Sequence, residues 1–248
     1  MENKEMTLKE LLEFFDKEIE EGIRLDYYVR NKNLQQETIK RIKKLVLDIH
    51  KYKENCKKKN EEQLANTFFL YQCVFNALIS SLTMWIELKD NEPYKAWDKL
   101  IDAQEYISYA LKVEPENETL ILLQEKYKNI ETSVFPGFPL YNSCGFILKG
   151  GICSICGKPL EQCEHIEGKL YYGSICKRIK VEEIDIDHTA MVPNPKDKRC
   201  VIHKFEFEPG KMYDYMTLEF LENKKKPEEG TLGTMEMVLF NANELDIF

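Results

Sequence analysis

Three cysteines and a histidine fall within thirteen residues of one another, in Cys153-Ser-Ile-Cys156-Gly157-Lys-Pro-Leu-Glu-Gln-Cys163-Glu-His165. A two-residue gap between cysteines lets both thiolates reach one ion, and a glycine after the second tolerates the backbone conformation that turns N–H groups towards sulfur. Cys163 and His165 supply two more donors. Three sulfurs and one nitrogen make a closed tetrahedral site, and the ion that suits them is zinc. A closed set leaves no position for a reacting water, so the zinc is expected to be structural and to hold together a small domain with a thin core.

The spacing leaves the fourth donor open between His165 and Cys176. Alternate residues of a straight strand point to opposite faces, so Cys163 and His165 converge only where the chain bends. A redox reading of Cys153 and Cys156 would need a strand leading into a helix in an alternating βα context, and that pattern is missing. The other cysteines carry less. Cys73 reads as core, Cys56 belongs to no site, and Cys144 and Cys200 could be further ligands or packing.

The elements that must position these donors follow from the hydrophobic period. The first half reads as helix throughout. Thr7-Leu-Lys-Glu10 is a capping box, followed by Leu11, Leu12, Phe15 and Ile19 at helical spacing. A second helix is expected from about Gln36 to Lys58, and a fourth opens near Pro93 with Trp97, Leu100, Ala103 and Ile107 on its inner face. A fifth runs from near Glu116 to before Val134. The third is the segment from Gln63 to Ile86, 24 residues without a charge. That length would cross a bilayer of about 30 Å. It nevertheless carries Gln63, Asn66, Gln72, Asn76 and several hydroxyls, which hydrocarbon penalises, so it reads as the central helix of a bundle.

Phe135-Pro-Gly-Phe-Pro139 ends the helical pattern. The expected organisation is therefore α+β: an all-α bundle over residues 1–133, a linker over 134–140, and a β-rich zinc-binding domain over 141–248. Lys169–Tyr172, Arg178–Ile186, Ala190–Val192 and Arg199–Glu208 read as short strands, with Lys211–Leu221 as a returning strand after Pro209-Gly210. Residues 224–230 read as a solvated loop, and the tail from Thr231 has no clear assignment.

The run from about Cys144 to Lys204, with Cys153, Cys156, Gly157, Cys163, His165, Gly168, Tyr171, Gly173 and Pro193, resembles a short zinc-binding module of uncharacterised bacterial and prophage-encoded proteins. The resemblance implies a zinc module and an association with phage biology or phage defence, but no reaction. A weaker resemblance is to zinc-supported HNH nucleases, which pair Cys-x-x-Cys-Gly with a later Asp-His and a proline. By that likeness His188 would activate water and Asp187 would hold or orient a divalent ion, with Pro193 following. The second Cys-x-x-Cys of that family is missing here, where Cys200 stands alone. A surface histidine beside a carboxylate is the plainer reading of His188.

The 248 residues are 43% hydrophobic and 31% charged, which excludes a wholly disordered chain and a many-span membrane protein. A net charge of −8 disfavours non-specific nucleic-acid binding while leaving room for a local basic site. The polar, acidic start has no apolar leader, so the expectation is a cytoplasmic protein with reduced thiols. Together these readings point to a non-enzymatic binding or adaptor protein that meets a protein partner, or a second copy of itself, through the bundle.

Overall fold

The structure is a computed structural model that describes residues 6–208, 210–222 and 235–237. Helix makes up 51% and strand 21% of the described residues, in an α+β arrangement with the helices first. The helices are α1 (Leu8–Leu25), α2 (Lys32–Lys58), α3 (Glu62–Lys89), α4 (Pro93–Ala110) and α5 (Glu118–Val134). The strands are β1 (Tyr141–Lys149), β2 (Ile152–Cys153), β3 (Leu170–Tyr171), β4 (Ser174–Ile175), β5 (Arg178–Ile179), β6 (Glu183–Val192), β7 (Ile202–Glu208), β8 (Lys211–Asp214), β9 (Glu219–Glu222) and β10 (Met235–Met237).

Two compact units divide the described residues. One takes the chain up to Tyr127 together with Gly168–Ile175; the other takes Lys128–Glu167 and the chain from Cys176 onward.

In the helical unit, local chemistry sets the helix ends. The Thr7 capping box forms as expected, with the Thr7 N–H donating to Glu10 at 2.8 Å and the Glu10 N–H to the Thr7 hydroxyl at 3.3 Å. Asn31 caps α2 through the Leu34 N–H at 3.1 Å, so this helix begins four residues before Gln36, where the apolar stripe starts. Asn117 does the same for α5 through Leu120 at 3.2 Å, moving its start from 116 to 118.

α3 packs between α2 and α4 and also meets α1. Ala65, Phe69, Phe75, Leu78, Leu82 and Met84 are fully buried, which is why its uncharged surface goes all the way round. By length and hydropathy α3 could cross a membrane, but 83% of its apolar window is buried inside the protein. Its polar residues are used internally. Asp26, at the end of α1, is fully buried and accepts from the Ser81 hydroxyl, from Trp85 Nε1 at 3.2 Å and from Lys126 Nζ at 2.7 Å. That knot joins α1, α3 and α5. Lys53 of α2 is also buried; its ammonium donates to Gln72 Oε1 at 2.6 Å and lies 5.5 Å from the centre of the Phe69 ring.

The β3–β4 hairpin belongs to this same unit. Its two-residue loop, Tyr172-Gly173, has φ of +46° and +68°, the doubly left-handed geometry that matches strand twist. Gly173 donates its N–H to Asn66 Oδ1 at 2.7 Å, and a Cβ there would stand 2.5 Å from the Ala65 carbonyl oxygen. Only glycine permits that approach. Lys112 Nζ donates to the Gly168 carbonyl at 3.0 Å.

The second unit is strand-rich. β1 and β6 form an antiparallel ribbon running from Tyr141↔Val192 to Lys149↔Glu183, with a bulge at Gly145/Phe146. This corrects two expectations. The sequence gives no sign of β1, because Asn142, Ser143 and Gly145 dilute its β-formers. The expected strand Arg178–Ile186 divides into β5 and the start of β6, and β6 then runs unbroken through His188 into Ala190–Val192. β7, β8 and β9 form a meander, with β10 on the other side of β7. The expected strand Lys211–Leu221 breaks because Asp214 accepts the Met216 and Thr217 N–H groups at 2.8 and 3.2 Å, turning the chain. Residues 224–230 and the tail apart from Met235–Met237 lie outside the described residues.

Candidate metal centre

The centre is built on the short β2–β5 pair. Gly150 and Gly151, at φ +66° and +102°, turn the chain from β1 into β2. β2 pairs Cys153 with Arg178 of β5, and the Arg178 guanidinium donates to the carbonyls of Leu148 and Gly150, each at 3.2 Å. From Cys153 the backbone folds into a tight loop. The Cys153 N–H donates to the Lys158 carbonyl at 2.8 Å and the Gly157 N–H to the Cys153 carbonyl at 2.9 Å. Gly157 has φ +70°. The Ile155 N–H donates to Cys153 Sγ at 3.3 Å, so the amide-to-sulfur geometry expected of Cys-x-x-Cys-Gly is present.

A 3₁₀ turn at Leu160–Gln162 delivers Cys163. Residues 163–166 are not a strand, and the bend required to bring Cys163 and His165 to one side is made. The His165 N–H donates to Cys163 Sγ at 3.2 Å, and His165 Nδ1 lies 3.3 Å from the same sulfur. Cys156 Sγ is 3.4 Å from Cys163 Sγ. One ligand atom from each of Cys153, Cys156, Cys163 and His165 falls within 4.8 Å of the other three, and the group could hold a metal ion. Two sulfurs bound to one zinc at about 2.3 Å stand about 3.8 Å apart in a tetrahedron. The donor spacings fit such an ion.

Cys176 also comes to the centre. Its Sγ is 3.7 Å from Cys153 Sγ, and both residues are fully buried. Reciprocal bonds place it there, from the Ser154 N–H to the Lys177 carbonyl and from the Lys177 N–H to the Ser154 hydroxyl, each at 2.9 Å.

The electrostatics follow from crowding. Burial opposes charge on Cys153, but the amides of Cys156 and Ile155 and the thiols of Cys163 and Cys176 hold its thiolate, bringing it down to about 6. Burial pushes Cys163 up to about 11, with Cys156 and the Cys153 charge adding to it. Burial and Cys153 push Cys176 up to about 12. Burial and the Cys153 charge thus oppose ionisation of Cys163 and Cys176, and a positive ion at the middle of the cluster would favour it.

Elsewhere, Cys56 and Cys73 are buried among the helices and Cys200 is buried in the second unit. Cys144 Sγ lies 3.7 Å from the Thr189 hydroxyl across the β1–β6 ribbon. Asp187 and His188 do meet, with Oδ2 and Nδ1 2.9 Å apart, on an exposed stretch of β6 where the imidazole lies against Gly145. Among the described residues, the cysteine–histidine group is where three or more potential ligands converge on one point.

Comparison with protein-family models, curated proteins and solved structures finds no match. What can be said of this chain therefore rests on its own residues. The sequence names all five donors. It does not show the amides of Ile155 and His165 as sulfur partners, which only the local backbone reveals.

Proposed function

We propose that this chain is a non-enzymatic binding or adaptor protein whose strand-rich unit is built around one structural zinc ion. The observation that carries the reading is the convergence of Cys153, Cys156, Cys163 and His165 within 4.8 Å. Such a thiolate-rich set suits zinc and fills all four positions, which is the mark of a structural site. Zinc would supply the cation that the crowded sulfurs need and would hold the loop between β2 and the 3₁₀ turn. The partner would dock on the helical unit, where Leu11, Phe14, Leu45 and Tyr52 line a cavity of about 470 Å³ and the rings of Phe14 and Tyr52 are exposed. A place in phage biology or defence, and in the cytoplasm, belongs to the same proposal; its support is the resemblance of the segment from about Cys144 to Lys204 and the need for reduced thiols.

The test is the metal content of the purified full chain by mass spectrometry. The expected result is close to one zinc per chain, unchanged in His188→Ala. No bound metal would overturn the reading. The 2.9 Å contact of Asp187 with His188 is what favours the second reading, a metal-dependent nuclease. That reading requires His188→Ala to abolish cleavage of DNA by a chain that otherwise cleaves it.

A further inference from the structure

Five donors lie at or beside the centre, and a tetrahedral ion takes four. Four of them form the converging group. The fifth, the Cys176 sulfur, is 3.7 Å from Cys153 Sγ, close to the separation of about 3.8 Å between two sulfurs sharing a zinc ion.

The two candidates for the fourth position are held differently. His165 lies on an irregular segment, half-buried, between the exposed Glu164 and a turn at Gly168 whose α-carbon faces open space. Cys176 is fully buried. It lies between β4 and β5, and the mutual bonds of Ser154 and Lys177 fix its backbone. The histidine is thus the more exposed of the two donors, and the cysteine is the one enclosed by the framework.

Resting on the zinc reading above, we propose that Cys176 is a standby ligand: with His165 bound its sulfur rests against the Cys153 sulfur, and when His165 leaves it takes the fourth position. The exchange breaks the metal–nitrogen bond and forms a metal–sulfur bond, and the thiol proton passes to solvent. The ion is four-coordinate before and after the exchange. Its shell changes from three thiolates and an imidazole to four thiolates, and the His165 ring becomes available to an incoming group.

The test is titration of the full chain and its variants with cobalt(II), read by thiolate-to-metal charge-transfer absorption and by stoichiometry. Wild type is expected to bind one cobalt per chain. His165→Ala and the milder His165→Asn should also bind one, with the charge-transfer intensity raised by about a third as the thiolates go from three to four. Cys176→Ala should leave stoichiometry and spectrum unchanged. The double variant His165→Ala/Cys176→Ala should bind at least about 100-fold more weakly. Circular dichroism of each variant checks that the helices are intact. If both His165 variants lose the metal while wild type binds it, the standby role is overturned and the zinc reading stands. If Cys176→Ala alone loses it, Cys176 is a resident ligand, which also overturns the proposal. A wild type that binds no cobalt overturns the zinc reading itself.

Discussion

The helical unit and the strand-rich unit solve the same problem by different means. The helical unit buries large side chains outright, with Trp97, Phe69, Phe75, Leu78 and Leu82 almost wholly out of water. At roughly 1.5–3 kcal/mol for each large apolar group, such a core stabilises itself, and buried polar groups such as Asp26, Lys53, Gln72 and Ser81 are tied by internal bonds. The strand-rich unit has little of this. β6 is exposed along most of its length, with Ile184 and Ile186 60% and 67% exposed, and several of its strands are only two residues long. Around the centre the buried groups are sulfurs, and the bonds between them are weak ones. A chain that spends its apolar residues in one unit needs another source of cohesion in the other, and the proposed metal ion, bonded to four side chains, would provide it.

The sharpest way to break this comparison is to remove the ion proposed for the centre. Cys153→Ser, or a strong chelator, should abolish metal binding and erase the tertiary signals of the strand-rich residues. An apparent contribution of about 10–16 kcal/mol is typical of structural zinc in small modules. The helical signal at 222 nm should persist. Amide NMR spectra of the full chain separate the two sets of residues, and loss of both together would end the comparison.

The next effect belongs to the helical unit. Asp26→Ala removes the acceptor shared by Ser81, Trp85 and Lys126 and leaves those donors unpaired in a buried place. The expected cost is about 3–5 kcal/mol in urea unfolding followed at 222 nm, with metal content unchanged. Loss of metal in this variant would mean that the two stabilising devices are not separate.

The smallest effect is a slope against pH. Burial, with the nearby Lys57, lowers the Lys53 ammonium from 10.5 to about 8. The unfolded chain therefore holds this proton more tightly than the folded one between about pH 8 and 10.5. Stability of the helical unit should rise with pH across that window by up to about 3 kcal/mol, and be independent of this group below pH 8. Lys53→Met should remove the slope. An unchanged slope in that variant would assign it to other groups.

Much of this was legible in advance. Thr7 and Glu10 announce a helix start because a capping box is a local interaction between residues three apart. The uncharged run from Gln63 to Ile86 announces a central helix because no one-sided environment would accept it. The donor residues are legible because thiolate and imidazole have few other reasons to crowd together. β1 was hidden because it is held by pairing with β6, some forty residues away, and not by its own propensity. The breaks at Gln36 and Leu221 were misplaced because single side-chain bonds, from Asn31 and from Asp214, move an element's end without changing the hydrophobic period.

By itself, then, the sequence determined the α+β class, the succession of helices and the set of residues that could ligate a metal, since each depends on residue type and short spacing. The tertiary structure alone decided which donors converge. Cys176 and Cys153 are 23 residues apart in the chain, and their sulfurs meet because β2 pairs with β5 and Ser154 bonds Lys177. Likewise, a hairpin that follows the first four donors in sequence belongs with the helices, because Gly173 has no side chain to keep it from the backbone of α3.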